Sequence, residues 1–188
     1  IAPEEMKTTS RNDDLDTIIV TKSKQGPREY HEDFHCNLKR GEIFLIFGLF
    51  DGHGGTECAD YCSEKMCQSV AAMSDEELIN SPSACAMRAF ETTDSTFRKD
   101  FPKSEAGSTA TLCLLNRENM RMTVSNVGDS MALLIKKNGR FSELTKNHHG
   151  KRLDERNRIK ALGGKVEYDK IDKIYRVGGI LAVTRAIG

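Results

Sequence analysis

Glu42 to Phe50 (EIFLIFGLF) is a nearly unbroken apolar run rich in aromatic and branched side chains. Such a run reads as a strand buried on both faces, the central element of the fold. It stops at Asp51-Gly52, and from Thr56 the period changes. Ala59, Cys62, Met66 and Val70 recur at three- and four-residue spacing, with Asp60, Glu64 and Lys65 left for the outer face, which predicts an amphipathic helix.

The remaining pattern falls into blocks. Thr17 to Thr21 reads as a first strand, broken by Lys22 to Arg28 with its Gly-Pro pair. A second helix is expected from Pro82 to about Phe97, with Ser81 as cap and an end before Pro102. Strands are expected at Ser108–Leu115, Arg121–Asn126, Met131–Lys136 and Arg140–Leu144, spaced as hairpins and therefore antiparallel. A helix from Lys151 to Leu162 stops at Gly163-Gly164, and Leu181 to Val183 begins another apolar piece. Blocks of strands and helices, without strict alternation, predict an α+β domain of antiparallel sheets over residues 16–188, preceded by a polar arm at residues 1–15.

Composition narrows the function. Lys and Arg total 28 and so do Asp and Glu, so no global field draws the 188-residue chain to nucleic acid or an anionic membrane. No apolar run approaches the roughly 18 residues that span a bilayer. Cys36, Cys58, Cys62, Cys67, Cys85 and Cys113 are scattered, unlike a small secreted disulfide scaffold, and no signal-peptide pattern opens the chain; a reducing interior is expected. Cys58, Cys62 and Cys67 sit on a helical pattern as small core residues, without the His pair that would complete a zinc site.

The residues with chemical content cluster around the central strand. In FDGHGG (residues 50–55) that strand delivers Asp51, Gly52 and His53 toward a helix. A carboxylate at a strand end is a hard oxygen ligand, and a glycine lets its carbonyl approach a cation, so Asp51 and Gly52 can form part of a Mg²⁺ or Mn²⁺ site. The plainer alternative is a turn with a helix cap. In REYHED, Glu32-Asp33 offers adjacent carboxylates and Arg28 a planar fork for phosphate, although alone this is a solvated charge run. Gly107-Ser108-Thr109 and Asn126 to Ser130 read singly as turn chemistry, with Asp129 a further acid.

In order along the chain, REYHED, FGLFDGHGG, GSTA, NVGDS, LTKNHH, ERNRI, ALGGKV and LAVTRAIG resemble the metal-dependent type 2C protein serine/threonine phosphatases, from about Arg28 to Gly188. The resemblance implies a β-sandwich of two antiparallel sheets flanked by helices, with two Mn²⁺ or Mg²⁺ ions at one edge. It implies Asp51 as bridging ligand, Glu32 as ligand of one ion, Gly52 as carbonyl ligand and Asp33 as holder of metal-bound water. Arg28 matches the phosphate-gripping arginine and His53 the general acid, with Thr109 and Asp129 near the outer metal region. The implied reaction is hydrolysis of phosphoserine and phosphothreonine in proteins by a hydroxide between the two cations, without a phospho-enzyme. Phosphoprotein substrates, a monomeric state and a cytoplasmic or nuclear location are expected.

Departures from the pattern are confined. In the family, LAVTRAIG is followed by a metal-binding aspartate and a later strand carries a second, so the natural chain is expected to continue past Gly188. Met131 replaces the usual arginine after GDS, and Asn147-His148-His149-Gly150 replaces Asp-His-Lys-Pro. These changes keep open an alternative, a catalytically inactive phosphatase-like module that binds protein partners. Residues 165–179 resemble the family's variable flap.

Overall fold

In the computed structural model, residues 7–12 and 17–188 are described. The elements run β1 (Lys7–Asn12), β2 (Thr17–Lys22), β3 (Asp33–Arg40), β4 (Phe44–His53), α1 (Glu57–Ala71), α2 (Asp75–Asn80) and α3 (Pro82–Asp100). Then follow β5 (Gly107–Ser108), β6 (Ala110–Asn116), β7 (Arg121–Val127), β8 (Leu133–Ile135), β9 (Phe141–Glu143), α4 (Leu153–Ala161), β10 (Val166–Asp169) and β11 (Ile174–Val177). The result is the expected α+β arrangement of antiparallel sheets and helices. Its centre is a five-stranded sheet in the order β3-β4-β6-β7, with β5 paired to the end of β4. Among the described residues the other strands form three separate ribbons, β1-β2, β8-β9 and β10-β11.

Alternation along β4 explains the layering. Phe44, Ile46 and Phe50 are fully buried and join one core with Cys58, Ala59, Cys62, Met66 and Val70 of α1 and Cys85, Ala89 and Phe97 of α3. Each large side chain of this kind contributes roughly 1.5–3 kcal/mol by leaving water. The helical period read from Ala59, Cys62, Met66 and Val70 is therefore the packing face of α1. On the opposite side of β4, Leu45 is buried, Leu49 is exposed, and Asp51 and His53 follow at the same two-residue spacing toward the open end.

Several expectations are corrected. The central strand does not stop at Asp51-Gly52 but runs through His53, because Gly52 pairs with Ser108 and His53 with Gly107 across β5. Lys7–Asn12, placed in the polar arm, is a strand paired with β2, and the rest of that arm lies outside the described residues. Strand β3, for which the sequence reading has no expectation, follows directly on the REYHED charge run: Phe34, Cys36 and Leu38 pack against the core, while the residues between them face out. Helix α2 is a further element without a sequence expectation; Ser74 and Glu77 close a reciprocal capping box at its start. Ser81 makes no side-chain cap for α3. Leu181 and Val183 form isolated bridges to Val177 and His149 without building a strand.

The expectation of a reducing interior also meets a contrary feature. Cys36 on β3 and Cys67 on α1 are joined by a disulfide, with Cα atoms 6.6 Å apart. Cys58 and Cys62 are free and buried in the core, as their helical spacing implies, and Cys85 is also free and buried; Cys67, grouped with the first two, is buried too but engaged in the disulfide. No helix among the described residues is long and apolar enough to cross a membrane.

Candidate active site

Strand register builds the site. In the β3-β4 ladder Asp33 lies directly opposite Asp51. Like charges in that relation repel, so the pair is costly unless a cation or proton intervenes. Burial, then Asp33, Asp129 and Glu32, holds the Asp51 carboxyl above its ordinary range, and Arg28 opposes them. Arg28 Nη1 stands 3.8 Å from Glu32 Oε2.

Backbone bonds fix these groups. The Thr109 amide donates to the Asp51 carbonyl (2.9 Å), and the Asp51 amide donates to Thr109 Oγ1 (3.1 Å). Thr109 Oγ1 in turn meets Ser130 Oγ at 2.6 Å, tying the Gly128-Asp129-Ser130 turn to β4. The Gly52 amide donates to the Glu32 carbonyl at 2.9 Å. A Cβ on Gly52 would lie 2.9 Å from that same carbonyl oxygen and 3.1 Å from the Ala59 Cβ. Only glycine therefore lets the Glu32 segment close over the strand end.

His53 is half-buried, and burial lowers its pKa while Glu32 and Asp129 pull it up. Its ring lies over the backbone of Gly107, where a Cβ would come within 2.4 Å of Nε2. The sequence assigns Gly107 no such role; its only signal there is membership of a short glycine-serine-threonine turn.

These groups open into one cavity of about 620 Å³. Arg28, Glu32, Asp33, Asp51, Gly52, His53, Thr109 and Asp129 all line it, so the eight residues to which the family resemblance gave a place at the site border one cavity. It also adds Gln25, Tyr30, His31 and the Leu181–Val183 wall. Gln25 Nε2 donates to the carbonyls of Arg28 (2.7 Å) and Glu29 (2.9 Å), holding the loop that carries Arg28. His31 Nδ1 accepts the Asp33 amide at 3.0 Å, and its Nε2 is hydrogen-bonded to Ser23.

The wall at Leu181–Val183 is anchored from α4. Glu155 is buried and takes Arg185 through both carboxylate oxygens, with Nη2 at 2.6 Å from Oε1 and Nε at 3.0 Å from Oε2. Arg158 Nη2 and Thr184 Oγ1 donate to Glu155 Oε2, each at 2.9 Å. The Thr184 amide donates to the His148 carbonyl, so hydrogen bonds tie residues 184–185 to both α4 and the loop before it.

The donor set suits a hard divalent cation: carboxylate oxygens, a strand-end carbonyl and room for water. Among the described residues no three carboxylate, imidazole or thiol groups converge tightly enough to cage one ion unaided. Water and further oxygens would complete any coordination here.

Comparison with known proteins identifies relatives of the chain and of its fold. "Probable protein phosphatase 2C 59" of Arabidopsis thaliana is 36% identical over 171 residues, covering 88% of this chain and 52% of its own length. "Probable protein phosphatase 2C 45" of Oryza sativa subsp. japonica is 35% identical over 170 residues, covering 88% and 57%. The chain thus spans about half the length of these curated relatives. Another relative, "Probable protein phosphatase 2C member 13, mitochondrial" of Oryza sativa subsp. japonica, is 35% identical over 176 residues, covering 88% and 45%, and its name places that protein in mitochondria. Among solved structures, "Crystal structure of a phosphatase from a pathogenic strain Toxoplasma gondii" shares the fold with a TM-score of 0.72 at 23% identity, over 87% of this chain and 61% of that one. A "C.elegans sex determining protein" shares it at 0.77 and 22%, over 100% and 44%. The family profile for protein phosphatase 2C matches residues 20–188, and the chain belongs to that family.

Proposed function

We propose that the protein hydrolyses phosphoserine and phosphothreonine in protein substrates with the help of two divalent ions, Mn²⁺ or Mg²⁺. The observation that carries this reading is the facing of Asp33 and Asp51 across one ladder, with Glu32 and Asp129 close enough to raise the Asp51 pKa further. Glu32, Asp33, Asp51, the Gly52 carbonyl and Asp129 would hold the ions and their waters. Bound there, divalent cations supply acidified water and neutralise phosphoryl charge.

The chain's own residues do the rest. Arg28 borders the cavity on a loop held by Gln25, where its guanidinium can grip phosphoryl oxygens through paired hydrogen bonds. His53 faces the same cavity and can give a proton to the departing serine or threonine oxygen. Burial alone would keep that ring neutral, and Glu32 and Asp129 are the groups that favour its protonated form. Thr109 pins the Asp51 backbone from both sides, so the carboxylate is presented without rearrangement.

The test is hydrolysis of a phosphothreonine peptide by the intact natural protein with Mn²⁺. Activity is expected in the wild type and a loss of at least a hundredfold in Asp51→Asn, on the order of what losing a catalytic electrostatic group costs. A wild type that stays inert across divalent metals and peptides overturns the proposal.

A further inference from the structure

Helix α4 presents two chemically distinct sides. One holds Glu155 and Ile159 in the interior. The other, with Arg156, Asn157 and Lys160, joins Gly164, Lys165, Val166 and Glu167 around a second cavity of about 420 Å³ that shares no lining residue with the first. The chain is neutral overall, yet residues 146–160 carry six basic and two acidic groups. Both acids are already committed: Asp154 pairs with Arg152, and Glu155 with Arg158 and Arg185. No acid pairs with Arg156, Lys160 or Lys165 among the described residues. Glu167, the one acid of the groove, extends toward Gly179, where a Cβ would touch its Oε2 at 3.5 Å.

A solvated helix face does not account for this gathering. Lys160 complements the helix C-terminus, but Arg156 sits mid-helix and Lys165 beyond its end, where that dipole gives no reason for a cation. Arg156 is also fixed in place. Its guanidinium lies 4.8 Å over the Tyr175 ring, and Nη1 donates to the Gly150 carbonyl, leaving other N–H groups available with little ordering still to be done.

We infer that this groove binds an acidic polypeptide segment, carboxylate- or phosphate-bearing, supplied by the protein substrate at a distance from the phosphorylated residue. Naming the partner as substrate rests on the phosphatase reading; the binding itself does not. The groove reaches the catalytic cavity through short links. Gly150, the Arg156 acceptor, follows His149, which is bridged to Val183 on the catalytic wall. A segment docked on α4 would therefore raise the local concentration of the phosphoresidue at the first cavity without touching the reacting groups.

The experiment uses the intact protein and the double substitution Lys160→Glu, Lys165→Glu, both at exposed positions, with an unchanged thermal melt as the folding check. Fluorescence anisotropy with a labelled, unphosphorylated glutamate-rich peptide reads binding without any catalysis. Kinetics on two phosphothreonine peptides, one with a glutamate tail and one with a serine-glycine tail, read the consequence. We expect the acidic tail to lower KM about fivefold or more, with kcat unchanged and the preference abolished in the variant, in keeping with a few exposed charge pairs acting together. Absence of peptide binding, binding that survives charge reversal, or equal binding of a single-stranded oligothymidylate overturns the inference. Peptide binding lost in the variant, in a protein that hydrolyses nothing, keeps the groove and sinks the phosphatase reading alone.

Discussion

At the scale of single residues, the acids of the site were legible and the groups that seat them were not. Asp51, Gly52 and His53 announce themselves because a buried strand ends in residues that a turn does not require. Gly107 does not, since its importance exists only once β5 has paired with β4 and laid its backbone under the His53 ring. Gln25 is silent for the same reason: its two acceptors are backbone carbonyls created by the loop itself. The close approach at Gly107 yields a sharp expectation. Gly107→Ala places a methyl 2.4 Å from His53 Nε2, and the Ile187 carbonyl, 3.1 Å away, blocks relief on that side. The imidazole must turn, so kcat for phosphopeptide hydrolysis should fall by about a hundredfold, the low end of what a positioned acid contributes. KM should stay within about twofold, because Arg28 lies on a different loop. Steady-state kinetics with a melting curve decide it; a folded variant with wild-type kcat removes His53 from the reaction.

At the scale of elements, the sequence favours those with long, uniform periods. The β4 run and the α1 face are unmistakable, whereas β3 alternates properly at Phe34, Cys36 and Leu38 but interleaves His, Asn and Lys, residues with weak strand preference, directly after a charge run. The β10-β11 hairpin hides similarly among charges, its Asp169 engaged by Arg176 and by the amides of Ile171 and Asp172. Helix α4 is marked by periodicity, but its purpose, clamping residues 184–185, depends on a contact thirty positions away. That clamp carries a pH signature. The Arg185 hydrogen bond first, then Arg158 and Thr184, hold the Glu155 carboxyl far below its usual 4.5, against the opposing effect of burial. A carboxylate whose folded pKa is depressed stabilises fully above its unfolded value and loses that contribution as pH falls toward the folded one. Stability should therefore decline below about pH 4.5 through this group, and Glu155→Gln should flatten the decline. Glu155→Ala should cost about 2 kcal/mol at neutral pH, less than the roughly 3–5 of a fully buried pair, because Arg185 remains 42% exposed. Urea midpoints across pH check both; an alanine variant as stable as wild type at pH 7 refutes the clamp.

At the scale of the whole molecule, one sheet edge carries an unusual load. In the order β3-β4-β6-β7, β3 is an edge strand among the described residues, yet it brings Asp33 to the end of the sheet that carries the candidate site. Edge strands are held by one ladder only and fray more readily than central ones. The Cys36–Cys67 link fastens this edge to α1, three residues from Asp33, and closes a loop with a sequence separation of 31. The scattered cysteines gave no hint of it, because the pairing depends on α1 folding back across β3. Closing a loop of this size removes unfolded-state freedom corresponding to about 3–4 kcal/mol. Once unfolded, the oxidised protein should therefore titrate with Cys58, Cys62, Cys85 and Cys113 as its free thiols, and reductant should expose Cys36 and Cys67 as well. Reduction should lower the urea midpoint by the equivalent of about 3 kcal/mol, and Cys67→Ser should show that lower midpoint with or without reductant. If the wild type yields six thiols without reductant and one midpoint in both conditions, the edge is held by its ladder and the core beneath it, and Asp33 owes its position to the register opposite Asp51 alone.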